Sequence, residues 1–365
     1  MIDTITLLIP PQQYKIIHDN FVPCATFVFQ HKTLKAICNP SKKNIYKPRL
    51  TISRRKDLDG ISQIMLTIEL SLPKLLFGNN LEELKYKDFN TLIFKLHEIL
   101  YEMGVEINID DLKNAAILTI HYSKNIALTD GSIPFSYIQK IKELHSPKNL
   151  DTNQTNYRNS GHCFKYHCNS YEIVFYDKIH DLQKAEISSK RAIDNHQNIT
   201  SSSLSKLRTG RKKFEILRME VRLNTRRKMK QLFTKLHIKS DLTFRKLFKP
   251  AIAQKVLLSY VRQLDHKCCS FIDFKPLNDK ALLSTLVLYN PTLRAKQILQ
   301  FFGFKKILET MTIDELRNIL KQSDKSNWNK LIKELDSIII PSPGQPFEII
   351  KKQIQKYNPL KIRKV

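Results

Sequence analysis

The sequence predicts an α+β chain: an antiparallel sheet with helices on one face, followed by an all-helical C-terminal region. Three observations predict it. Several segments alternate apolar and polar side chains, the period of strands buried on one face only. Strand-like and helix-like segments mix in the first half without the regular alternation that a parallel sheet requires. After residue 224 the apolar spacing is helical throughout.

Ile5, Leu7 and Ile9 open a first strand, stopped by Pro10 and Pro11. Arg49 to Ser53 is a short strand. From Ile64 to Leu72, alternation turns Ile64, Leu66, Ile68, Leu70 and Leu72 inward and Thr67, Glu69 and Ser71 outward. Residues 79–103 carry helical spacing at Leu92, Ile93, Leu96, Leu100 and Met103, and Gly104 ends the run. Residues 116–123 oppose Leu118, Ile120 and Tyr122 to Thr119, His121 and Ser123. A helix over 135–144 and a polar loop over 146–161 follow.

The strand from Tyr171 sends Tyr171, Ile173 and Phe175 to one face and Glu172, Val174, Tyr176 and Lys178 to the other. Asp177 is suited to cap a helix running from Lys178 to about Asp194. Residues 195–213 are polar, Ser-rich and basic, an excursion suited to lie against DNA. In 217–224, Leu217, Met219, Val221 and Leu223 face inward, while Arg218, Glu220, Arg222 and Asn224 share the opposite face. Helical spacing then covers 226–236, 242–248 and 250–264, with a break at 267–276. Asn290-Pro291 starts a helix closed by Gly303, Thr312 to Glu315 is a capping box, and 326–338 is a further helix. A Pro-rich linker over 341–346 leads to a basic tail. Three units result: 1–265, 266–340 (helical, suited to DNA binding) and 341–365.

The 365 residues include 61 Lys and Arg against 34 Asp and Glu, a net charge of +27. Such an excess points to a polyanionic partner, nucleic acid before an anionic membrane surface. No run is apolar enough to span a bilayer, and the start lacks the basic region of a signal peptide, so a soluble protein inside the cell is expected. Six cysteines do not make a disulfide framework in a chain this long. His162-Cys163 with His167-Cys168 has the wrong spacing for zinc.

Singly, Glu69, His121, Tyr176, Lys178 and Glu220 fit the solvated face of a half-buried sheet. Together they are the set a phosphoryl-transfer centre needs. Tyr176 is the candidate nucleophile, with Lys178 stabilising phenolate and developing phosphorane charge. Glu69, His121 and Glu220 are candidate ligands for Mg²⁺ or Mn²⁺. Arg218 and Arg222 are candidate clamps on flanking phosphates, with Arg49, Arg211, Lys212 and Arg226 as further DNA contacts.

Several stretches resemble the filamentous-phage gene II/X-type rolling-circle replication initiators, a family also found on plasmids. They are the opening residues 1–10, Ile68-Glu69-Leu-Ser-Leu-Pro73-Lys running to Gly78-Asn79, Val174-Phe-Tyr176-Asp-Lys178 with Leu182-Gln183, and Leu217-Arg-Met-Glu220-Val-Arg222 with Thr225-Arg226. The resemblance covers roughly residues 1–265. It implies a nickase-like sheet and an initiator that cleaves one strand of a double-stranded origin. It further implies a 5′-phosphotyrosine at Tyr176, a 3′-OH left as primer, Glu69 and Glu220 as site acids, and later rejoining. Host helicase and polymerase, in the cytoplasm of a bacterial cell, are the implied partners. His121 departs from the aspartate that related sequences can carry on that strand. A tyrosine recombinase is disfavoured because no His-x-x-Arg occurs. The alternatives are a non-catalytic, sequence-specific DNA-binding protein such as a replication repressor, and a plasmid relaxase with the same chemistry.

Overall fold

A computed structural model describes residues 1–32, 46–56, 62–128, 133–143, 156–158, 160–187, 215–265, 278–320, 327–338 and 347–360. Its strands are β1 (Ile2–Ile9), β2 (Tyr14–Ile16), β3 (Phe21–Ala25), β4 (Val28–His31), β5 (Arg49–Lys56), β6 (Ser62–Ser71), β7 (Val105–Ile107), β8 (Ala116–Leu128), β9 (Asn156–Arg158), β10 (Cys163–Cys168), β11 (Tyr171–Asp177) and β12 (Glu215–Leu223). Ten of them form one sheet in the order β3-β4-β5-β6-β1-β8-β12-β11-β10-β9, and every pairing is antiparallel. β2 and β7 make a separate pair.

Alternation decides the faces. Ile5, Leu7, Ile9, Leu66, Ile68, Ile120, Met219, Val221, Ile173 and Phe175 are fully buried on the apolar face. Each such side chain contributes about 1.5–3 kcal/mol relative to exposure. The first helices are α1 (Leu72–Phe77), α2 (Phe89–Glu102), α3 (Ile109–Asn114), α4 (Pro134–Glu143) and α5 (Lys178–Ile187). After β12 come α6 (Arg226–Lys235), α7 (Phe244–Leu247) and α8 (Pro250–Asp265). α2, α7 and α8 share one core with the apolar face through Leu92, Leu96, Phe244, Val256 and Tyr260. The expected helices on one face are present. α5 is the departure: its Leu182 packs with Leu81 and Ile216 on the polar side.

α9 (Asp279–Tyr289), α10 (Ala295–Thr310), α11 (Ile313–Leu320) and α12 (Asn327–Asp336) enclose a second core. Leu282, Leu286, Phe301, Leu316, Trp328 and Leu335 build it. The all-helical character expected for this part holds in its described residues. The capping box is made as expected: Glu315 N–H donates to Thr312 Oγ1 at 3.2 Å and Thr312 N–H to Glu315 Oε2 at 2.7 Å. Asp177 likewise caps α5, accepting from His180 N–H at 2.9 Å.

Other boundaries need correction. The helix expected over 79–103 begins only at Phe89, because Asn79 Oδ1 accepts from the N–H groups of Leu81 and Glu82 and folds that stretch into a turn. Gly303 does not end a helix but lies within α10, where an added Cβ would meet open space. The tail expected over 341–365 contains α13 (Phe347–Lys356), whose Phe347, Ile350 and Ile354 are completely buried in the main core. Gln254 Nε2 fixes the end of α13 by donating to the carbonyls of Ile354 and Gln355. Its spacing of i, i+3, i+7 gives one apolar stripe, which α8 covers. Among the described residues no helix is long and apolar enough to cross a membrane.

Candidate active site

β11 and β12 bring the candidate residues together by register. Tyr176 pairs with Arg218, Val174 with Glu220 and Glu172 with Arg222. The period of two therefore lines Arg218, Glu220 and Arg222 along one face, with the Tyr176 ring diagonal to Glu220. Tyr176 Oη donates to Glu220 Oε1 at 2.7 Å. Arg218 Nε donates to the same oxygen at 2.9 Å. Arg222 Nε and Nη2 donate to Glu220 Oε2 at 3.0 and 2.9 Å. Both carboxylate oxygens are thus doubly engaged.

Charge alternates outward from this centre. Arg218 Nη2 lies 2.7 Å from Asp3 Oδ1. Arg222 Nη1 reaches Glu172 Oε2 at 3.3 Å, and Glu172 Oε1 takes hydrogen bonds from Lys165 Nζ at 2.9 Å and His167 Nδ1 at 2.7 Å. Asp3, Arg218, Glu220, Arg222, Glu172 and Lys165 form one chain of opposite signs. Buried, such a chain is tolerable only because each charge meets its complement.

The polar face is not solvated here, contrary to expectation. Glu220 and Arg218 are each 2% exposed, Tyr176 9% and Lys178 0%. Residues 79–83, residues 358–360 and α5 close over them. Arg218 Nη1 donates to the Asn80 carbonyl at 2.7 Å and Asn125 Nδ2 to the Leu81 carbonyl at 2.6 Å. Glu83 clips the cover down. Its carboxylate accepts from Lys124 Nζ at 2.5 Å, Asn125 N–H at 2.7 Å and Leu360 N–H at 2.8 Å.

Burial and charge set the protonation states. Burial pushes the Tyr176 phenol well above its ordinary range, outweighing the pull of Arg218. Burial acts the same way on Glu220, yet Arg222 and Arg218 overcome it and hold the carboxyl well below its usual range. Glu220 is a fixed anion and a weak base. Burial lowers Lys178 to about 8 against the attraction of Asp181. Its Nζ sits 3.5 Å from Asp181 Oδ2 and 5.5 Å from the centre of the Tyr176 ring. An amine so placed exchanges a proton near neutral pH, the property wanted in a base beside a phenol.

The proposed metal set is not assembled. Glu69 is exposed on β6, three strands and two cross-strand rows from Glu220, on the order of 20 Å by sheet geometry. His121 is nearer; its register partner is Arg222, and burial together with that guanidinium lowers its pKa. Among the described residues no three His, Cys, Asp or Glu side chains converge to hold an ion. With Glu220 already saturated, Glu69, His121 and Glu220 do not fit a shared Mg²⁺ or Mn²⁺.

The phosphate contacts divide similarly. Arg218 is buried and fully engaged, so it cannot clamp a flanking phosphate. Arg226 Nη1 is spent on the Ile117 carbonyl at 2.8 Å. Arg222 keeps a side chain 32% exposed, and Arg49 is exposed on β5 opposite Glu69. Arg211 and Lys212 lie outside the described residues. Sequence reasoning missed Asp3, Glu83, Lys124 and Asn125, and Lys165 and His167 as partners of Glu172. No protein-family model, curated protein or solved structure matches this chain.

Proposed function

We propose that this chain nicks and rejoins a single DNA strand through a phosphotyrosine at Tyr176, as a rolling-circle initiator does. The observation that carries the reading is the Tyr176 hydroxyl hydrogen-bonded to Glu220, with the buried Lys178 amine 5.5 Å from the centre of its ring, on a chain of net charge +27. Tyr176 Oη attacks phosphorus, the P–O3′ bond breaks, and the phenolic proton passes to the neutral amine of Lys178. The 3′-oxygen leaves and takes a proton from solvent, which yields the free 3′-OH that a polymerase extends behind a host helicase. Rejoining runs the same bonds in reverse. Glu220 and its two arginines hold the phenol in place rather than accept its proton, since the carboxylate is too weak a base.

Access requires the turn at residues 79–83 to swing away from Arg218 and Asn125. The step uses no metal ligand from Glu69 or Glu220, because those groups do not converge. Incubation with supercoiled DNA carrying the cognate origin tests the reading: a nicked, protein-linked product is expected, absent from Tyr176→Phe. Running it with and without Mg²⁺ or Mn²⁺ decides whether an ion enters with the scissile phosphate.

One observation favours a second reading. The saturation of Glu220 and the burial of Tyr176 also suit a purely structural network in a non-catalytic DNA-binding protein. Origin binding without any covalent product, unchanged in Tyr176→Phe, would favour it.

A further inference from the structure

At the other end of the sheet the apolar face continues past its helical cover. Phe27, at the turn between β3 and β4, is 58% exposed, Phe29 on β4 is 41% exposed and Ile64 on β6 is 54% exposed. Register places them together. Arg54 pairs with Ile64 and Phe29 with Ile52, and Arg54 N–H donates to the Phe27 carbonyl at 3.3 Å. The Arg54 guanidinium lies over the Phe27 ring, 4.4 Å from its centre. Two rings on one hairpin and a stacked guanidinium therefore stand open on one surface. Phe27 also adopts φ 54°, an unusual backbone state for a bulky side chain, and it carries the ring outward rather than into the core.

Charge identifies the occupant. Residues 21–32 and 46–56 contain six Lys or Arg and no Asp or Glu; alternation along β5 sets Arg54 on the face of the rings and Arg49 and Arg55 on the other. An apolar protein partner would not need that imbalance, whereas a polyanion with flat apolar faces needs both features. Duplex DNA hides its base faces in the stack; a single strand offers them.

We infer that Phe27, Phe29 and Arg54 form a stacking platform for single-stranded DNA, with the Arg54 guanidinium beside the rings to meet its backbone. The platform lies six strands from Tyr176 and on the opposite face, about 30 Å across the sheet. It grips strand already opened, away from the scissile bond. The inference rests on the nicking reading only in its choice of DNA over RNA. Failure of the platform leaves Tyr176 chemistry untouched, and the reverse also holds.

Fluorescence anisotropy of the full chain with oligothymidylate of about 30 nucleotides, and with a duplex of equal length, tests it. The double variant Phe27→Ala/Phe29→Ala is expected to lose at least about tenfold in single-strand affinity while duplex binding is kept, which also serves as the folding control. Phe29→Trp is expected to keep the affinity and to show indole emission quenched on binding; the native Trp328 is buried and contributes little to that change. Unchanged single-strand affinity in the double variant, equal loss for both DNA forms, or unquenched emission from Phe29→Trp at saturation would each overturn the platform. Oligouridylate bound as tightly as oligothymidylate would overturn the assignment to DNA.

Discussion

Tyr176 Oη and Glu220 Oε1 meet at 2.7 Å across two neighbouring strands, and both groups are almost completely buried. A neutral phenol and a fixed anion share one short hydrogen bond. The anion is held in that state by guanidiniums on either side of it along the same strand.

Removing the phenol oxygen should therefore cost stability as well as function. Tyr176→Phe deletes a buried hydrogen bond to a charged acceptor, worth about 1.5–3 kcal/mol. Urea denaturation should show a lowered midpoint with an unchanged slope. Glu220→Gln is expected to be worse, about 3–5 kcal/mol, since the buried Arg218 keeps only Asp3 as a charge partner and Arg222 keeps only Glu172.

Lys178 gives a pH signature on the alkaline side. Its folded value is about 8 against an ordinary 10.5. Between those values the unfolded chain binds more protons, so stability rises with pH across that window, by up to about 1.4 kcal/mol per unit. Lys178→Met should abolish the rise and unfold at higher urea than the parent near neutral pH. DNA cleavage should increase through about pH 8 as the amine loses its proton, and Lys178→Met should flatten that profile.

The acid side has the opposite origin. Glu220 and Glu172 are held below their usual range, so the stability they contribute is present above the unfolded value of 4.5 and lost as pH falls through the folded values. His121, lowered mainly by burial, adds loss in the same direction below its unfolded value of 6.5. His121→Asn should remove the part of the decline that sets in below about pH 6.5, read from urea midpoints.

The C-terminal helix should prove indispensable. Ile350 is completely buried against the sheet core, and Ile350→Ala is expected to cost about 2–5 kcal/mol. A dispensable basic tail would leave the urea midpoint unchanged.

Much of the sheet was legible because its strands are buried on one face, and burial on one face leaves a period of two. β6, β11, β12 and most of β8 were readable for that reason, and so was the side on which Tyr176, Glu220 and Arg222 project; at the start of β8 a register shift puts Ile117 in the core where alternation set Leu118. Asp3 was not readable. Alternation sets it with Ile5 and Leu7 on the apolar face, but a register shift between Ile2 and Thr4 turns it toward Arg218. Glu83 was equally invisible, since its partners Lys124, Asn125 and Leu360 are remote in the chain and no local pattern marks a turn that folds over a distant sheet. Glu69 misled for a related reason: facing the same side as Glu220 says nothing about β1 and β8, which stand between them. In α13 the signal existed, as Phe347, Ile350 and Ile354 repeat at helical spacing, but the prolines before them and the basic residues after them suggested a tail.

The most direct measurement is mass spectrometry of tryptic peptides after reaction with supercoiled origin DNA and nuclease digestion. A nucleotide phosphate attached to the peptide containing Tyr176, and missing from Tyr176→Phe, is the expected result. A protein–DNA bond mapped to any other residue, or strand cleavage that persists fully in Tyr176→Phe, would contradict the assignment of that phenol as the nucleophile.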